Sequence, residues 1–502
     1  MNPMELPFGD ATIKFIPLIA MLNPKDFKSH AEPVVSWIDH YLKHITRYPV
    51  KARVAPGDIY RAIPEEAPLL PEPMDRIMED LDQTILPGIT HWQHPGFHAY
   101  FPANSSVESV LAESITAAIA AQCMIWDTSP AAAELEQRMM EWLRDAMGLP
   151  RDLEGVIQDS ASSATLVALI TARELATGFR SNEEGVPDNL RVYCSTQTHS
   201  SIEKAVGVCG MGKRNLVKVG TGSRLQLDPV LLEAAIAEDL KNGFKPTAVV
   251  ATLGTTGTLA VDPLKEIAAI CRKRAIWLHV DAAYAGTALL LEEYRWMIEG
   301  IKQVDSFVFN PHKWMFTNFD CTVYFVKNAG LLIKTFEILP EYLKTKSRGL
   351  VNDYRDWGVP LGRRFRALKL WFVIRSYGLE GIREKLREHI RLSRHFCQHL
   401  SGVDGLILPL EPFLNFSCFR LQPDGLTDPD ALNQLNEAFL EEINRSGELF
   451  LTHTRVDGLH TIRMIIGQTY VDQAQVDLAL KRIKEAAAIV LNDFQINGQS
   501  DG

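Results

Sequence analysis

The sequence has no run of 18 apolar residues, so no membrane-spanning helix is expected. It has no basic excess either. Its 52 Lys and Arg face 62 Asp and Glu, and the net charge of −10 argues against a nucleic-acid partner. We read that charge as a solubility feature. Cysteine is scarce: 7 residues at positions 123, 194, 209, 271, 321, 397 and 418, an odd number without a CxxC pair. This excludes a disulfide framework and points to reduced thiols in a cytoplasmic setting. Internal repeats and low-complexity tracts are also missing. The apolar stretch 15–22 follows Lys14, but Glu5 and Asp10 precede it, Pro17 interrupts it, and no small-x-small site follows. It is expected to be an N-terminal arm that packs on the body or on a partner subunit, and the sequons at Asn104, Asn415 and Asn444 are then chance matches.

What is present is ample core material. An apolar fraction of 46 % over 502 residues exceeds the needs of one simple domain. Three regions follow from the patterning. Residues 1–106 form an N-terminal helical segment with too little core to stand alone, carrying helices near 26–48 and 74–84 joined by proline-rich connectors. Residues 107–375 alternate helical stretches (107–122, 131–147, 162–177, 228–241, 263–274) with the short β-rich runs RVYCS, NLVKV, TAVVATLG, AIWLHVD, DSFVFN and TVYFV. Apolar strands alternating with helices indicate an α/β domain, with a mixed, mainly parallel sheet between helices. Residues 331–361 read as one long polar loop. Helices are expected over 363–378 and 380–401. The region 376–502 ends in a small α+β domain, where LILPL, FLNFSCFRL, ELFLTHT and LHTIRMIIG lead to a helix over 471–492.

In sheets of this kind ligands gather beyond the carboxyl ends of the strands. Each of those ends carries a polar group: His199 after RVYCS, Thr255 and Thr256 after TAVVATLG, Asp281 ending AIWLHVD, and Asn310, His312 and Lys313 after DSFVFN. One chemistry accounts for the set. A lysine held against an apolar strand has its ordinary pKa of about 10.4 depressed and becomes a nucleophile toward an aldehyde. A carboxylate in an apolar run needs a cationic partner, and a protonated pyridine nitrogen is one. Ser160, Ala161, Ser162 and Ser163 open an apolar helix, where free N–H groups and hydroxyls suit a phosphate dianion.

These residues sit in recognisable surroundings. NPHKW (310–314) resembles the lysine signature of the group II pyridoxal-phosphate-dependent amino-acid decarboxylases. HVDAAYAG (279–286), ATLGTTGT (251–258), THSSIEKA (198–205), GVIQDSASSATLVAL (155–169), YFPANSS (100–106) and DYRDWGVPLGRRFRALKLWF (353–372) resemble the same family, in its order. The nearest branch is the aromatic-L-amino-acid decarboxylases. The resemblance implies the PLP-transferase fold (aspartate aminotransferase-like, fold type I) and pyridoxal 5'-phosphate as cofactor. Lys313 would hold that cofactor as a Schiff base, and Asp281 would pair the ring nitrogen. Ala283 and His199 would lie on the two ring faces, with Thr256 at the ring edge. Ser160, Ala161, Ser162, Asn310 and His312 would hold the phosphate. Tyr342 would return a proton to Cα after CO₂ leaves. The presence of both Tyr342 and His199 favours an amine product over the aldehyde made by oxidising relatives.

The resemblance also supplies a pocket of Trp92, Tyr100, Phe101 and Pro102, with Met124 and Trp126 reaching in from the partner subunit of an intertwined homodimer. Gly362 stands where histidine-specific relatives often carry serine. Met124 and Gln122 depart from the animal enzymes, which leaves tryptophan, tyrosine, phenylalanine and dihydroxyphenylalanine open as substrates. Three rivals remain. One is an aromatic aldehyde synthase, and a second is a decarboxylase of a non-aromatic amino acid such as glutamate, which would want an arginine that 92–102 does not offer. The third is a non-catalytic relative acting as a binding protein, against which the intact set of Lys313, Asp281, His199 and Tyr342 argues. His91, His94 and His98 are spaced like metal ligands, but Pro95 and Gly96 break any helix between them and no acidic or cysteine partner is near, so no metal site is expected.

Overall fold

The sheet that organises the molecule is built from strands whose residues are almost all buried, as continuous apolar runs demand. A computed structural model describes residues 24–338 and 349–500. The seven strands of this sheet are β1 (Glu154–Gln158), β2 (Leu190–Ser195), β3 (Leu216–Val219), β4 (Lys245–Thr252), β5 (Trp277–Asp281), β6 (Ser306–Phe309) and β7 (Thr322–Val326), in the spatial order β1-β7-β6-β5-β4-β2-β3. Pairings among β6, β5, β4, β2 and β3 are parallel; β7 runs antiparallel to both β6 and β1. The mixed, mainly parallel sheet expected from the sequence is therefore present. Strand β1 falls in GVIQ, which periodicity alone does not mark as a strand.

Helices cover the sheet where the apolar spacing puts them: Val107–Ile119, Pro130–Ala146, Ala161–Thr177, Pro229–Lys241 and Leu264–Arg274. The Ala161–Thr177 helix begins where the Ser160 hydroxyl accepts the Ser163 N–H at 3.2 Å, a cap worth about 1 kcal/mol. It stops at Gly178, whose φ of 68° is a left-handed C-cap. The two further helices expected on either side of residue 379 lie within Arg366–Leu400. Gly378 separates them with φ 65° and ψ 165°, a backbone setting that glycine adopts without a side-chain clash. The segment read as one loop from 331 is corrected at its start. Ala329–Phe336 is a helix, because Leu331, Leu332, Ile333 and Phe336 supply an apolar face that the polar residues after it obscure.

A second sheet, ordered β10-β11-β9-β8, comprises β8 (Leu406–Ile407), β9 (Phe416–Leu421), β10 (Thr452–Val456) and β11 (Leu459–Ile465). Helices Pro429–Arg445 and Gln473–Ser500 pack with it around their own apolar cluster. The chain divides into two units between His91 and Trp92. In the smaller one, Trp37 stacks on Tyr41 at 5.4 Å, and the Tyr41 hydroxyl meets His91 Nδ1 at 2.8 Å.

Candidate active site

Strands β4, β5 and β6 end side by side, with Asp281 opposite Thr252 on one flank and Val308 on the other. Asp281 is buried, and its Oδ1 accepts the Ala283 N–H at 3.0 Å, which leaves the other oxygen for a second donor. After β6 the chain turns through Asn310 into the single helical turn Pro311–Trp314, with proline at a position where its missing N–H is no loss. Lys313 rides on that turn. Its N–H donates to Asn310 O at 2.9 Å, and its carbonyl accepts the Asn104 side-chain amide at 2.5 Å. Its Nζ lies 5.5 Å from the centre of the Phe101 ring. Burial lowers the proton affinity of Lys313, and the Asp281 carboxylate partly restores it.

His199 is drawn into the same electrostatic group. Partial burial lowers its pKa, Asp281 opposes that shift, and Lys313 adds to it. The Ser201 N–H donates to His199 Nδ1 at 3.2 Å, so the neutral ring carries its proton on Nε2. Lys313, Asp281 and His199 therefore act on one another, as expected from three separate strand ends.

The phosphate candidates offer donors. Asn310 Oδ1 accepts from the Thr322 hydroxyl at 2.9 Å, which leaves its NH₂ to donate elsewhere. His312 Nδ1 accepts the Cys321 N–H at 3.1 Å. Burial, helped by Lys313, pushes the His312 pKa down to about 3, so the ring is neutral with a donor at Nε2. The first turn after Ser160 presents the N–H groups of Ala161 and Ser162 without helical acceptors. A cavity of about 690 Å³ opens beside Ser162 and His199. A buried carboxylate with an oxygen to spare, a depressed lysine and a phosphate-type cradle together fit pyridoxal phosphate.

The expected pocket residues fall into two groups. Trp92 stacks on Tyr100 at 5.8 Å, and buried Phe101 stacks on Tyr284 at 4.1 Å beside Pro102. Met124, Trp126 and Gly362 belong to another cluster. The Met124 carbonyl accepts the Arg355 N–H at 3.0 Å, the Trp126 N–H donates to Asp353 at 2.9 Å, and Gly362 faces Gln122. Tyr342 lies outside the described residues. Among the described residues no group of three or more His, Cys, Asp or Glu is arranged to hold a metal ion. His98 is instead buried, with Nδ1 on Ile465 O at 2.8 Å.

Two residues escaped the sequence reading. Asn104, taken as a chance sequon, is buried; it donates to both Lys313 O and Gly467 O and accepts from Thr469. Arg463 on β11 donates to the Thr256 carbonyl at 2.7 Å. A charge at an inward position of the apolar strand LHTIRMI was the available signal.

Residues 56–422 match the pyridoxal-dependent decarboxylase conserved domain. The chain belongs to this family. Among members of the pyridoxal-dependent decarboxylases, it is 37 % identical to tyrosine decarboxylase 4 of Petroselinum crispum, over 94 % of this chain and 95 % of that one. It is 39 % identical to phenylacetaldehyde synthase of Arabidopsis thaliana, over 94 % and 98 %. The crystal structure of Oryza sativa TDC with PLP and tryptamine superposes with a TM-score of 0.91 at 34 % identity, covering 93 % of this chain and 99 % of the other. As a pyridoxal-dependent decarboxylase of this fold, the chain takes pyridoxal phosphate as its cofactor.

Proposed function

We propose that this enzyme removes the α-carboxyl of an aromatic L-amino acid as CO₂ and releases the amine. The observation that carries the reading is the mutual electrostatic grip of Lys313, Asp281 and His199 beside an aromatic wall. Bound pyridoxal phosphate supplies a cationic ring that accepts the electron pair left at Cα. The chain's residues do the rest. Lys313 would hold the cofactor through its ε-amine, whose grip on a proton burial weakens. Asp281 would face the ring nitrogen and keep it protonated, and His199, Ala283 and Thr256 would hold the ring. Ser160, Ala161, Ser162, Asn310 and His312 would bind the phosphate. Trp92, Tyr100, Phe101 and Pro102 enclose the planar side chain of the substrate and exclude water. Tyr342 delivers a proton to Cα.

An acidic substrate side chain would need an unengaged cation at this wall. Arg463 is close to Phe101, but each of its three nitrogens already donates to protein oxygens. The reading includes a homodimer that shares its active sites. Val107, Leu111, Ile115 and Ile119, four residues apart on one helix face, are 44, 56, 43 and 55 % exposed. That apolar stripe suits a second copy of the chain, which would bring Met124, Trp126, Gly362 and Tyr342 to its partner's site. The seven free, buried cysteines suit a reducing cytoplasm.

CO₂ release measured over the common amino acids and dihydroxyphenylalanine tests the reaction; release from no aromatic substrate defeats it. Mixing Lys313→Ala with Tyr342→Phe chains tests the shared site, since hybrid dimers regain one intact site. A second reading, aldehyde formation with oxidative deamination, draws on the likeness to phenylacetaldehyde synthase. Hydrogen peroxide and ammonia in step with CO₂ would select it. On the first reading those products appear only when Tyr342 is replaced by Phe.

A further inference from the structure

Arg463 is an unusual residue to bury. It sits in β11, between Cys418 of β9 and Thr452 of β10, and its side chain is shielded from water. Among the described residues no carboxylate lies within ion-pair distance of it. Burial weakens its hold on a proton, to about 10, against smaller opposing effects of Cys418, Tyr284 and Tyr100. An unpaired buried cation is expensive, and apolar replacements of buried charges are often neutral or stabilising. Core packing alone would be served by an aliphatic side chain.

The guanidinium is instead distributed over carbonyls of two separate loops. Nη2 donates to Thr256 O at 2.7 Å and Nε to Gly257 O at 3.3 Å. Nη1 donates to Tyr100 O and to the Thr452 hydroxyl, both at 3.2 Å. Its central carbon lies 5.3 Å from the Phe101 ring centre and 5.2 Å from that of Phe416. Tyr100 has φ of 51°, a left-handed setting that a side chain resists and that neighbours must hold in place. The Thr452 hydroxyl also accepts the Tyr100 N–H, at 3.3 Å. Both peptide groups flanking the strained residue are thus tied to the C-terminal sheet.

We propose that Arg463 is a positioning residue: its guanidinium fork, anchored on the C-terminal sheet, locks the Tyr100–Phe101 wall to the Thr256–Gly257 loop and sets the gap that receives the substrate's aromatic side chain against the cofactor. The proposal rests on the aromatic decarboxylase reading for its substrate, while the lock itself concerns the cofactor's surroundings. A lysine has the charge but not the planar fork, so it reaches one carbonyl where arginine reaches three.

The test compares wild type, Arg463→Lys and Thr452→Val as holoenzymes. Melting temperature, the visible circular dichroism of bound pyridoxal phosphate, the affinity with which apoenzyme regains it, and kcat and KM for tryptophan, tyrosine and phenylalanine are measured. For Arg463→Lys, kcat/KM is expected to fall at least about tenfold per bound cofactor, with an altered dichroic band and a melting temperature close to wild type. Thr452→Val, which loses only the steadying hydroxyl, is expected to fall about threefold in the same direction. Arg463→Lys within twofold of wild type in kinetics, with an unchanged band, overturns the proposal; so does a loss that merely tracks the folded fraction. If Arg463→Lys does not fold, Thr452→Val decides by the same two readouts. A wild type inactive on aromatic amino acids defeats the functional reading instead. The dichroic band and cofactor affinity of the variants would still report on the lock.

Discussion

Around Lys313 and around Lys369, burial strips water from an ammonium and lowers its affinity for a proton. The surroundings then diverge. Lys369, on the Arg366–Leu400 helix, is almost wholly enclosed and pushed down to about 8. Its Nζ lies 2.9 Å from Glu113 Oε2 without an aligned hydrogen bond, and Arg364 pairs with the same carboxylate. Arg366 and Asp320, paired at 2.9 Å, complete the cluster. Among the described residues, Lys313 has Asp281 as its countercharge and the Phe101 ring 5.5 Å from its amine. A depressed lysine is therefore not in itself a mark of catalysis. What separates the two is a single countercharge beside an aromatic ring at one amine and a closed ring of charges at the other.

The sharpest way to break this contrast is to remove each amine. Lys313→Ala is expected to reduce kcat by at least about 1,000-fold and to abolish borohydride-trapped cofactor. Lys369→Met should keep kcat within about tenfold of wild type. Equal losses in two folded, cofactor-loaded variants would erase the distinction. Removing the two carboxylates sharpens it. Asp281→Asn should lower kcat on the order of 100-fold. Because Asp281 raises the Lys313 pKa, the variant's lysine should titrate at lower pH. Glu113→Gln should leave the pH profile of activity in place and destabilise the fold by about 1–3 kcal/mol in urea melts.

The smallest effect is a slope. The folded Lys369 binds its proton less tightly than the unfolded chain, whose lysine titrates near its ordinary value. Between about pH 8 and 10.5 the unfolded state therefore holds more protons, and Lys369's contribution to stability rises with pH there, on the order of 1 kcal/mol per unit. Denaturation curves of wild type minus Lys369→Met across that window should show the rise. A flat difference would mean that Lys369 is hydrated after all.

The fold class was legible in the alternation of apolar strands and helices. The strand ends that bring Asp281, His199 and Lys313 within electrostatic reach of one another were legible too, because strand ends are local features and each needs only a short apolar run before it. The antiparallel β7 between β6 and β1 was not legible, since pairing order depends on residues far apart in sequence. The Pro429–Arg445 helix was passed over although Asp428 caps it at Ala431 N with 2.8 Å geometry and Pro429 opens it. Asn104 was missed for a plainer reason: it donates to backbone carbonyls, which every residue possesses. Arg463 was marked only by its charge in an apolar strand, and the carbonyls it meets left no sign in the sequence. Met124, Trp126 and Gly362 were named through family resemblance, and the single chain groups them apart from Lys313.

The bond from Asn104 to the Lys313 carbonyl has a mechanical consequence. It clamps the base of the lysine while leaving its four-carbon stem to rotate. The amine would then be free to move at its tip while the main chain stands still as a pivot.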